Sequence, residues 1–113
     1  MIGIYQIGHG PGVTPVGRVE LEPGGNTLLM VYANEAVRAT LEAALNRPAR
    51  TFRPVPGGAV LEKPQGRAAA MRARLKAHLG RPYFAADEVP ALQGAKSMRF
   101  PASMLDDEAV SLQ

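Results

Sequence analysis

Glycine and proline interrupt this chain so often that only short elements can form between the breaks. Together they make up 22 of 113 residues, well above the roughly 12% of an average chain but below the ~25 to 30% of low-complexity sequences. The breaks fall in clusters: Gly8-His9-Gly10-Pro11-Gly12, Pro23-Gly24-Gly25-Asn26 and Pro56-Gly57-Gly58, with Pro48, Pro64, Gly80 and Pro82 standing between. Elements separated by such turns read as strands and hairpins wherever hydrophobicity alternates, and as helices where it recurs at three to four residues.

Met1 to Ile7 reads as a strand buried on both faces, so it belongs inside a sheet. In the second strand Val16, Arg18, Glu20 and Glu22 alternate with Gly17, Val19 and Leu21, which predicts one polar face. The Pro23–Asn26 turn then joins it to TLLMVY, Thr27 to Tyr32, as a hairpin. At Asn34 the period changes. This residue suits a helix cap, Val37, Leu41, Ala44 and Leu45 lie on one helical face, and Pro48 ends the run. Thr51 to Glu62 reads as a second hairpin around Pro56-Gly57-Gly58, with Pro54 confined to an edge or bulge because it has no ladder donor.

A second helix is predicted from Pro64 to Leu79, with Pro64 in its first turn and Gly80 at its αL end. Ala68, Met71, Leu75 and Leu79 form its apolar stripe. Ala69, Ala73 and Ala77, with Ala70, form a small, uncharged opposite side suited to a helix–helix contact. Beyond Pro82 the period fades. Tyr83 and Phe84 read as core anchors, Asp87 to Gln93 as a short helix broken by Pro90, and SMRF, Ser97 to Phe100, as an edge strand.

The expected architecture is a small α+β domain over residues 1–100. It is mainly an antiparallel sheet of about five strands with two helices, in the order βββαββα. Residues 101–113 form an acidic tail that is either disordered or ordered by a partner. The core is lean: Ile, Leu, Val and Phe total 26 residues, while 18 of the hydrophobic residues are Ala. A lean core and an alanine-faced helix favour a protein partner or a second copy of the chain.

Charge is strongly segregated. Residues 64–82 carry Arg67, Arg72, Arg74, Lys76 and Arg81 and no acid, whereas 83–113 hold Asp87, Glu88, Asp106, Asp107 and Glu108 against two bases. The five cations could lie against nucleic-acid phosphates, positioning without reading sequence. Equally, the acidic residues could neutralise them. A net charge of +3 is small for strong counterion-release binding, and no aromatic ring is interleaved among the cations to stack on bases.

Gly8, His9, Gly10 and Gly12 form a loop that could hold a small anionic ligand through backbone N–H groups. The string IGHGPG resembles the first glycine loop of tetrapyrrole-type methyltransferases. The following VTPVGRVEL, however, reads as a strand where that family continues into a helix, so the resemblance carries no function over. His9 and His78 stand apart from any acid, nucleophile or second histidine in their own segments. No Cys is present, which removes disulfides and thiolate chemistry. No spacing reproduces a metal-ligand set, and no cofactor is implied.

The expectation is therefore a small cytoplasmic, non-catalytic interaction module that self-associates, its contact made through Ala69, Ala73 and Ala77. Nucleic-acid binding by helix 64–81 and a small-ligand or enzymatic site at the His9 loop are the alternatives. No apolar run is long enough to span a membrane.

Overall fold

The structure, a computed structural model, describes residues 1–8, 10 and 12–106. Its strands are β1 (Ile2–Ile7), β2 (Val13–Leu21), β3 (Thr27–Tyr32), β4 (Thr51–Val55), β5 (Gly58–Glu62), β6 (Tyr83–Ala86) and β7 (Lys96–Pro101). The helices are α1 (Glu35–Leu45) and α2 (Arg67–His78), and a 3₁₀ turn occupies Ala102–Asp106. The α+β class and the order of the first seven elements are as expected. The five-stranded antiparallel sheet has the order β6-β1-β2-β3-β7, and β4 and β5 form a separate two-stranded sheet.

Register explains the core. Ile2, Val19, Met30 and Met98 stand opposite one another across four strands. With Ile4, Leu28 and Tyr32 they face Val37, Leu41 and Leu45 of α1 and Met71 and Leu75 of α2. Each such side chain contributes about 1.5–3 kcal/mol by leaving water. A bulge between Ile4 and Tyr5 moves their partners on β2 from Gly17 to Pro15. Val16 is the extra residue and is buried in the core, although strict alternation puts it beside Arg18 and Glu20 on the polar face.

The cap of α1 is the expected one: Asn34 Oδ1 accepts from Val37 N–H at 3.0 Å, and the four anticipated side chains are buried. The start of α2 lies three residues later than Pro64, after Gly66 at φ +91, a left-handed conformation that no helix continues through. Its other end is extended at Leu79, not left-handed at Gly80. The buried face is also rotated from the expected stripe. Ala70, Met71, Arg74 and Leu75 are enclosed, while Ala68 is exposed.

The Asp87 to Gln93 segment contains no helix. Because β6 and β7 occupy opposite edges of the sheet, residues 87–95 must pass across its outer face. A Cβ on Gly3 would lie 1.9 Å from the Glu88 carbonyl oxygen, so glycine is what allows the crossing chain to approach β1 so closely. Tyr5 donates its hydroxyl to that same carbonyl at 3.1 Å and stacks on Phe84, with ring centroids 5.6 Å apart. Leu29 and Val31, which share this outer face with Arg18 and Arg99, are buried as well.

Candidate interaction surface

Three cations of the basic segment meet Asp87 and Asp106 within the chain. Arg67 closes a bidentate pair with Asp106, Nε to Oδ1 at 2.9 Å and Nη2 to Oδ2 at 2.8 Å, and its Nη1 donates to the Gly25 carbonyl at 2.7 Å. The hydrogen bond from Arg67 is the main reason that the Asp106 carboxyl titrates below its usual range; desolvation opposes this and the cationic charge adds to it. The same hydrogen bond raises Arg67. Arg72 pairs with Asp87, and Lys76 Nζ lies 3.8 Å from that carboxylate.

Arg74 is placed differently from its neighbours. It is 1% exposed, and its Nη1 donates to the carbonyls of Leu45 at 2.7 Å and Met104 at 3.1 Å. Leu45 ends α1, so the guanidinium meets the negative end of that helix dipole. Arg81 is exposed. The five cations therefore form no common row: one is enclosed, three face carboxylates and one lies beyond the helix.

His78 Nε2 donates to the Pro48 carbonyl at 2.9 Å, tying the end of α2 to the chain leaving α1. His9 lies outside the described residues. Gly8, Gly10 and Gly12 are exposed, and a Cβ on any of them would meet nothing within 4 Å, so no wall stands against that part of the loop. Among the described residues no three His, Cys, Asp or Glu side chains are grouped to hold a metal ion.

Ala69, Ala73 and Ala77 line an open groove of about 530 Å³ together with Ala49 and Pro64. Arg50, Glu62, Lys63 and Lys76 stand around it. Methyl groups form its floor, and its rim is predominantly cationic.

Above this groove rises the β4–β5 hairpin, whose surroundings were not legible from its sequence pattern. Its strands pack on each other, and neither packs broadly on another element. Phe52 faces Leu61 and Pro54 faces Ala59 across the ladder, which places these four side chains on one face of the hairpin. Phe52 is 70% exposed, the most exposed large apolar side chain among the described residues, and Val60 on the other face is 42% exposed. The Arg53–Glu62 pair, Nε to Oε1 at 2.5 Å, leaves the Phe52 face without charge.

The edges of the main sheet offer less. β6 is four residues long, and β7 carries Lys96 and Arg99, both devices that discourage edge pairing. Comparison with protein-family models, with curated proteins and with solved structures finds no match to this chain.

Proposed function

We propose that this chain is a non-catalytic protein-interaction module that works by self-association, using the projecting hairpin and the alanine groove at its root. The observation that supports this reading most is the uncharged, solvent-facing surface of Phe52, Pro54, Ala59 and Leu61 on a hairpin with little support from the rest of the fold. A lone two-stranded hairpin is marginal in water. An aromatic side chain held in the open on such an arm is typical of a surface that a partner covers.

Size-exclusion chromatography with light scattering tests the reading. At tens of micromolar the chain is expected to elute as a dimer or larger species, and Phe52→Ser to shift it toward monomer. A wild-type monomer throughout this range overturns the proposal.

The nucleic-acid reading gains no support from the geometry. A polyanion lying along α2 would have to displace Asp87 and Asp106 from their arginines, and Arg74 is out of its reach. Titration with a labelled oligonucleotide at low salt is expected to show no binding. Salt-sensitive binding abolished by Arg72→Glu would reverse that conclusion.

A further inference from the structure

The two edges of the β4–β5 hairpin are not equivalent. Val55 and Gly58 flank the two-residue loop Pro56-Gly57, where Gly57 at φ +87 takes the left-handed position. Residues flanking such a loop form a hydrogen-bonded pair, and pairs alternate from there along an antiparallel ladder. Pro54–Ala59 and Phe52–Leu61 are therefore the non-hydrogen-bonded pairs, whose backbone N and O atoms point away from the hairpin. Pro54 fits this position because it has no N–H to lose, but its presence deprives the outer edge of β4 of a donor. The outer edge of β5 presents the N–H and C=O groups of both Ala59 and Leu61. Among the described residues, no backbone group bonds to them across that edge.

Resting on the self-association reading above, we propose that β5 of one copy pairs antiparallel with β5 of a second copy about a two-fold axis at Val60, joining two hairpins into one four-stranded sheet. In this register Ala59 N–H donates to the Leu61 carbonyl of the second copy and Leu61 N–H to its Ala59 carbonyl. The axis repeats both, giving four hydrogen bonds between copies. Phe52 and Leu61 of one copy then line up with Ala59 and Pro54 of the other, so the two uncharged faces merge into one. The pairing also ends itself. β5 is consumed at the axis, and Pro54 weakens the edges that remain, so growth stops at two chains. It is isologous, as a closed dimer requires, and it gives each hairpin the additional strands that independent stability needs.

Three variants and the wild type decide the matter. At the axis Val60 faces its own copy as a non-hydrogen-bonded pair with Cα atoms about 4.5 Å apart, within the range a disulfide spans. Val60→Cys in this Cys-free chain is expected to give a covalent dimer on mild oxidation. Val89→Cys, similarly exposed but on the crossing segment, is expected to stay monomeric on denaturing gels. Ala59→Pro removes an outward donor as Pro54 does and leaves the inner ladder intact. It is expected to weaken the dimer by about 30-fold, since two of four interchain hydrogen bonds are lost, while circular dichroism stays that of the folded protein. A wild-type dimer undiminished by Ala59→Pro, with no preferential Val60→Cys linkage, overturns β5 pairing and leaves self-association standing. A wild-type monomer overturns both.

Discussion

Arg74 and Gly3 are held in place by backbone carbonyls, one by bonding to them and the other by making room for one. Arg74 bridges the last carbonyl of α1 and a carbonyl of the 3₁₀ turn, so its head joins three elements while its stem fills core volume. Arg74→Met keeps much of the stem and removes the donors. Each buried carbonyl left without them is expected to cost about 1–3 kcal/mol, to be measured by urea unfolding. In the sequence Arg74 stood among flanking cations, because residue type reports charge and says nothing about which carbonyls a long side chain can reach. Gly3 was equally silent, since the chain that crosses over it is 85 residues away. Gly3→Ala brings a methyl against the Glu88 carbonyl and Pro90 Cδ. The crossing segment must lift, and a loss of about 1–3 kcal/mol, in the range of an overpacked site, should appear as a lowered thermal midpoint.

At the scale of elements, local patterns held for α1 and the two hairpins, while the Pro64 start and Gly80 end expected of α2 did not. The Asn34 cap, the four buried positions of α1 and both hairpins follow from capping, periodicity and turn chemistry. In β6 only Tyr83 and Phe84 were read, as core anchors, because YFAA has no alternation to mark a strand and exists as one through pairing with β1. The buried face of α2 turns toward Arg74 because α1 and the 3₁₀ turn supply acceptors there, information absent from the helix itself. That 3₁₀ turn buries Ala102 and Leu105 and is fastened to α2 by Arg67 and Asp106. Since Asp106 is depressed in the folded chain, its contribution is fully present above the ordinary aspartate value of about 3.9 and is lost as pH falls through the lower folded value. Urea midpoints of wild type and Asp106→Asn are therefore expected to differ at neutral pH and to converge in acid below that ordinary value. A gap that persists there would mean that Asp106 acts through packing, not through its charge.

For the whole molecule, Arg67, Arg72 and Lys76 of the basic segment fasten to Asp106 and Asp87 within the chain, and the least supported part of the fold is the hairpin. Within one chain, the amides of Val60 and Gly58 point to β4, and those of Ala59 and Leu61 point away from it. Little packing holds the hairpin to the sheet, so its inner amides should open locally at far lower free energy than those of β1, β2 and β3. In dilute solution, hydrogen exchange is expected to be fast throughout residues 51–62 and slow in the core strands. Raising the protein concentration should then slow Ala59 and Leu61 in particular, because the proposed β5 pairing gives them acceptors, and slow Val60 and Gly58 with them as the hairpin is stabilised by mass action. An association through the alanine groove alone would quiet the hairpin generally without protecting the two outward amides. Those two amides thus report which surface of the molecule the second copy occupies.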